Sequence, residues 1–170
     1  MAAAVTSPLK ESKVFDGFRD SRSEAEPGKS NTLIKIEGGW KAFNTDSVAI
    51  EKLFQGSEKS WRIWGSGAMA QQCFDTLKNC ELYSSRDAKL LKSKGVLHPS
   101  SFNLLWAAGD EASLPPDFWK PNEVYDLSYT MNSHAILYAS KCKVDYINGV
   151  KFFEIQANAQ QGIWKSLEEI

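Results

Sequence analysis

The sequence predicts an α/β protein: a parallel sheet with helices on both faces, plus a partial α/β domain ahead of it. Two observations carry this. From Trp61 onward, strand-like and helix-like segments alternate, the rhythm of parallel strands joined by crossovers. Before Asp46 there are only two small strands and a helix, too little for a complete domain.

Taken in order, Ala2 to Ser7 is short and β-compatible, and Pro8 suits the first turn of a helix running to about Phe18. Residues 19 to 30 are polar, with Pro27-Gly28 as a turn signal, and should form a loop. Asn31 to Glu37 and Trp40 to Phe43 read as strands of a hairpin turning at Gly38-Gly39. Val48, Ile50, Leu53 and Phe54 have helical spacing and predict a helix over 47–54, with Asp46 as its N-cap. Strands follow at Trp61 to Trp64, Glu81 to Ser84, Phe102 to Ala107, Glu123 to Leu127 and Val144 to Ile147. Helices are expected at Ala68 to Leu77, Asp87 to Lys94, Ser133 to Lys141 and Gly149 to Leu167. Trp61, Trp64 and Trp106 should pack in the core, whereas Trp40, Trp119 and Trp164 are expected to be partly exposed.

Composition narrows the function. The 170 residues carry 20 Lys plus Arg against 21 Asp plus Glu, a net charge of −1, and 42% are hydrophobic. A disordered chain is excluded, and the balanced charge argues against a nucleic-acid partner. No apolar run approaches the roughly 20 residues of a membrane helix, and no secretory signal is visible. Cys73, Cys80 and Cys142 form no C-x-x-C pair, so reduced thiols, no metal site and a cytoplasmic location are expected.

The most specific motif is Gly65-Ser66-Gly67-Ala68-Met69-Ala70, a G-x-G-x-x-A turn between a strand and a helix. Gly65 permits the tight turn, Gly67 lets a pyrophosphate approach the backbone, and Ala70 allows close helix–strand packing. The helix N-terminus offers free N–H groups to phosphate. This is the dinucleotide fingerprint of a Rossmann-type sheet. The second strand ends Ser84-Ser85-Arg86, with no carboxylate at its tip to accept from a ribose 2′-hydroxyl. Charge logic therefore favours NADP over NAD.

Seven blocks, in order, resemble the shikimate dehydrogenase family. They are Val5-Thr6-Ser7-Pro8-Leu9-Lys10, Ser30-Asn31-Thr32, Phe43-Asn44-Thr45-Asp46, the glycine turn, Ser85-Arg86-Asp87, Val124-Tyr125-Asp126-Leu127-Ser128-Tyr129 and Gly149 to Ala157. The resemblance implies Lys10 and Asp46 as the catalytic pair, with Thr6, Asn31, Tyr129 and Gln156 binding substrate alongside Asp46. It implies that Gly65, Ser66, Gly67, Ala68, Ser85 and Arg86 contact the nucleotide, and the Gly149 backbone the nicotinamide. A Lys–Asp pair suits ketone reduction, which needs a proton at the developing alkoxide. The implied activity is reversible hydride transfer between 3-dehydroshikimate and shikimate with NADP, a step of aromatic amino-acid biosynthesis on the way to chorismate. The alternatives are a quinate-type dehydrogenase and a non-catalytic nucleotide-binding module. The implied boundaries are 1–46 for the substrate domain, 47–148 for the NADP-binding domain and 149–170 for a helix returning to the substrate domain.

The pattern also departs from the family. The family's N-terminal portion, with an S-x-S-P motif for the substrate carboxylate, has no counterpart before Val5. Low activity of the chain alone is therefore expected, with a homodimer mate or a second polypeptide completing the substrate domain. The family's N-A-T-S stands here as Ala107-Ala108-Gly109-Asp110, Ser47 replaces a glycine, and Met131 to Ala135 replaces P-x-x-T-P. His134 reads as a residue opening a helix.

Overall fold

The computed structural model describes residues 1–5, 30–109 and 112–166. Thr6, Lys10 and the helix expected after Pro8 lie outside these residues. In chain order the elements are β1 (Ala2–Ala4), β2 (Thr32–Ile36), β3 (Gly39–Phe43), α1 (Thr45–Phe54), β4 (Trp61–Trp64), α2 (Ala68–Thr76), β5 (Cys80–Tyr83), β6 (Leu90–Lys94), β7 (Asn103–Trp106), β8 (Glu123–Asp126), α3 (His134–Cys142), β9 (Asp145–Ile147) and α4 (Val150–Lys165). They divide between two compact units, Met1–Lys52 with Glu154–Ile170, and Leu53–Phe153.

The first unit holds an antiparallel sheet in the order β1-β2-β3. The β2–β3 hairpin turns through Gly38 at φ +91 and Gly39 at φ +157, values that L side chains rarely adopt. Val5, Leu33 and Ala42 form its small buried cluster, with Trp40 half-buried against it.

The second unit holds a six-stranded sheet in the order β6-β5-β4-β7-β8-β9. Strands β5, β4, β7, β8 and β9 run parallel. All four residues of β7 are buried, as expected of a central strand covered on both faces. β6 is the exception. The sequence reads 87–94 as a helix, but it forms an antiparallel edge strand against β5. Ser84 N–H donates to Lys89 O and Ala88 N–H to Ser84 O, and Ala88 takes φ +56. That tight reversal sends the chain straight back along β5, leaving no room for a crossover helix. Leu90 and Leu91 are each 44% exposed, so the apolar positions that suggest a helical face are not buried by one. Lys92 and Lys94 anchor the strand on α2, donating to Gln71 Oε1 at 2.7 Å and to the Asp75 carbonyl at 2.9 Å.

Trp119 corrects a second expectation. It is 4% exposed and central to the larger core, packing edge-on against Trp64, Tyr83 and Phe102 with ring centroids 5.7, 4.7 and 5.8 Å away. No helix connects β7 to β8 among the described residues. Trp119, on that connection, fills the space instead, and the Arg62 guanidinium lies 4.7 Å from its ring.

Candidate functional site

The glycine turn joins β4 to α2 at the centre of the larger sheet. β5 lies on one side of β4 and β7 on the other, so the strand order reverses direction there. Crevices at the carboxyl ends of strands at such a switch point are where open α/β sheets bind ligands. Gly65 and Gly67 do different work. Gly65 sits at φ +146, and a Cβ there would stand 2.6 Å from the Ala107 carbonyl oxygen. It lets the chain turn against the end of β7. A Cβ on Gly67 would meet nothing within 4 Å. Gly67 is the N-cap of α2, extended at φ −77 and ψ −179, with no side chain bonded to the helix end and no acidic residue in the first turn. The helix therefore presents unpaired N–H groups beneath open space, which fits an anion. Ser66 is exposed beside it and Ala68 opens the helix.

Ser85 and Arg86 follow β5, whose register sets Tyr83 opposite Trp64. Gly65 N–H donates to the Tyr83 carbonyl at 3.0 Å, tying the two turns together. Arg86 N–H donates to Ser84 Oγ at 3.3 Å. The Ser84 hydroxyl and the Lys89 backbone N–H both bond the Asp87 carboxylate and hold its pKa below the usual range. The Arg86 side chain is exposed, and among the described residues it has no carboxylate partner. Ser85 and Arg86 line a cleft of about 460 Å³ with Gly109, Ala112 and Ser113.

Tyr129 and Gly149 are brought together at the far end of β8. Asp126 is fully buried, and its carboxylate accepts from Ser128 N–H at 2.8 Å, Ser128 Oγ at 2.9 Å and Tyr146 OH at 2.9 Å. Burial and the neighbouring carboxylate push the Tyr146 hydroxyl pKa upward. Gly149 N–H donates to Ser128 O at 2.7 Å, and a Cβ on Gly149 would lie 2.5 Å from the carbonyls of Leu127 and Ser128. The Gly149 carbonyl already accepts from Phe153 N–H at 2.9 Å, leaving one lone pair. Tyr129 is 62% exposed, its ring tilted against Phe153 at 4.9 Å.

In the smaller unit, Asn31 is 2% exposed and is the hub of a polar network. Its Oδ1 accepts from Thr45 N–H at 2.8 Å, Thr45 Oγ1 at 3.2 Å and Thr32 Oγ1 at 3.1 Å. A backbone N–H can only donate, so the amide orientation is set. Its Nδ2 is buried and meets no acceptor among the described residues. Leaving a buried donor unpaired costs about 1–3 kcal/mol, and such exceptions mark sites where something else supplies the partner. Asp46 is 5% exposed in the first turn of α1, next to Thr45. It is not the cap. Asn44 is, its Oδ1 accepting from Asp46 N–H at 3.1 Å and Ser47 N–H at 3.3 Å. The helix begins two residues earlier than the apolar spacing indicates, moving Asp46 inside it.

Gln156 is half-buried on α4. The glutamine that joins the network is Gln160, one turn later on the same face, donating to Thr32 Oγ1 at 3.0 Å. No local signal separates these two glutamines. Asn44 was legible from the cap preference of asparagine next to a helical run. Ser113 had no signal at all.

No protein-family model matches the sequence, and no curated protein does. Solved structures do. A chorismate mutase/shikimate 5-dehydrogenase fusion protein from Clostridium acetobutylicum is 21% identical, with a TM-score of 0.65 over 97% of this chain and 70% of that one. The shikimate 5-dehydrogenase of Listeria monocytogenes, solved with shikimate and NAD, is 18% identical, TM-score 0.65, over 97% and 73%. That of Thermus thermophilus, solved with NADP(H) and shikimate, is 15% identical, TM-score 0.65, over the same shares. The chain has the shikimate dehydrogenase fold.

Proposed function

We propose that the protein is an NADP-linked oxidoreductase that interconverts a shikimate-like cyclic hydroxy acid and its ketone. One observation carries the reading above all. The uncapped N-terminus of α2 faces open space at Gly67, and the next strand end presents Arg86 in the cleft beside it, where no carboxylate stands among the described lining residues. That donor set suits a pyrophosphate and a 2′-phosphate. Gly65, Ser66, Gly67 and Ala68 form the pyrophosphate turn, Ser85 and Arg86 hold the 2′-phosphate, and the free lone pair of the Gly149 carbonyl takes the carboxamide of the nicotinamide. When bound, the nicotinamide supplies or takes the hydride.

The substrate half of the proposal rests on Asn31, whose locked amide keeps a buried Nδ2 donor for a hydroxyl. Thr6, Tyr129 and Gln156 are assigned to the remaining polar groups of the substrate. Lys10 gives a proton to the developing alkoxide, and Asp46 keeps that lysine charged. In this reading 47–148 is the cofactor domain, and 1–46 with 149–170 the substrate domain.

Fluorescence titration with NADPH and NADH tests the cofactor assignment. NADPH should bind more tightly, and Arg86→Ala should weaken NADPH binding by about 1.5–3 kcal/mol while barely altering NADH. Equal affinity for the two, or preference for NADH, would overturn it. Turnover of shikimate with NADP by whichever form binds the cofactor tests the substrate assignment.

A further inference from the structure

The cleft at Ser85 and Arg86 has two walls from different parts of the chain. One is the turn after β5. The other is the segment after β7, and β4 lies between those strands in the sheet. A hydrogen bond spans the gap: the Ser113 hydroxyl donates to the Ser85 carbonyl oxygen. The Ser113 segment is itself held from behind. Trp64, fully buried at the end of β4, donates its indole N–H to the Ser113 carbonyl at 2.8 Å. His134, opening α3, lies with Nδ1 2.9 Å from the Ala112 carbonyl; an acceptor there requires that Nδ1 carry the proton. Residues 112 and 113 are thus pinned by two donors from the sheet and helix side, leaving the Ser113 hydroxyl as the group that reaches the opposite wall.

From this geometry we infer that Ser113 is a positioning residue for 2′-phosphate recognition, acting through the Ser85-Arg86 turn. The inference rests on the NADP reading above. Ser113 has one hydroxyl proton and spends it on Ser85, so it is not itself the phosphate donor. Its part is to hold the turn that carries Arg86. The Arg86 side chain is exposed and long, and ordering such a chain on binding is costly. A turn held from both sides starts from fewer arrangements, so less ordering remains when the phosphate arrives. The turn's own bonds, from Arg86 N–H to Ser84 Oγ and from Lys89 N–H to Asp87, are internal to it. Among the described residues, the Ser113 bond is what ties it to the other wall.

The probes are adenosine 2′,5′-bisphosphate and adenosine 5′-monophosphate, which differ only by the 2′-phosphate. Their affinities are measured calorimetrically for the wild type, Ser113→Ala and Ser113→Thr. The wild type should prefer the bisphosphate. Ser113→Ala should cut that preference roughly fivefold, the net worth of one hydrogen bond, with monophosphate affinity unchanged within about twofold. Ser113→Thr keeps the hydroxyl and should restore the preference. Ser113 is exposed, so neither variant should shift the melting temperature appreciably. If Ser113→Ala keeps the wild-type ratio, the positioning role is wrong and the NADP reading stands. If both affinities fall together, Ser113 acts on the fold of the cleft and not on 2′-phosphate recognition. If the wild type shows no preference for the bisphosphate, the NADP reading falls and this inference with it.

Discussion

The glycine turn at α2 and the asparagine network at α1 are both candidate binding regions, yet they are built in opposite ways. The first is made of backbone. Gly65 to Ala70 is contiguous, and its donors are main-chain N–H groups of a helix end. The second is made of side chains. Asn31, Thr45 and Gln160 stand far apart in sequence and meet through hydrogen bonds across 14 and more positions. A backbone site tolerates no added Cβ where the ligand sits, and a side-chain site tolerates no loss of a partner. The two should therefore fail differently under mutation.

The largest effect is expected at Gly65. Gly65→Ala places a Cβ 2.6 Å from a backbone oxygen at a φ of +146, so it should cost about 3 kcal/mol or more, or prevent folding. Gly67→Ala meets nothing within 4 Å, so stability should change by less than about 1 kcal/mol. NADPH affinity should nevertheless fall by roughly tenfold or more, because the methyl group occupies the phosphate's place. Urea denaturation beside cofactor titration separates the two. A stable Gly65→Ala protein, or a Gly67→Ala protein with full affinity, would break the contrast.

In the side-chain region, Asn31→Ala removes the acceptor for three donors and should destabilise by about 2–3 kcal/mol. Gln160→Ala removes the bond to Thr32 Oγ1 and a longer one to the Asn31 carbonyl, and should cost about 0.5–1.5 kcal/mol. The paired variant should lose less than the sum, since both changes act on one network through Thr32. Strict additivity would show that the network is not a unit.

A further effect concerns pH and belongs to the backbone-built side. Cys80, at the start of β5, is fully buried, and burial pushes its thiol up to about 11. In the unfolded chain the thiol loses its proton at its ordinary value, lower than in the folded protein. Its contribution is therefore complete below about pH 9 and is lost as pH rises toward 11, by about 2 kcal/mol. Unfolding free energies of wild type and Cys80→Ala across this window should converge by that amount. Parallel curves would mean the thiol is not desolvated. Below about pH 8 alkylation of native Cys80 should be slow, because the reactive thiolate is scarce.

What was legible in the sequence follows the same division. The strand positions from Trp61 onward, the glycine turn and the order of helices could be read, because each is written within a few neighbouring residues. The segment 87–94 could not. Its residues allow a helix, and only the tight reversal through Ala88 and the lysine contacts to α2 make it a strand. Trp119 shows the same limit, since a lone tryptophan in a proline-rich stretch gives no sign that it fills a core.

By itself the sequence determined the alternation of elements, the helix end at Gly67 and the absence of a carboxylate at the tip of β5. All three depend on residues close together in the chain. The tertiary structure alone decided which asparagine and glutamine share a network, and that Ser113 reaches Ser85 across the end of β4. Those outcomes depend on which strand ends come side by side, and that is set by sheet order. A hydrogen bond between residues 28 positions apart, like that of Ser113 and Ser85, leaves no periodicity and no motif in the chain.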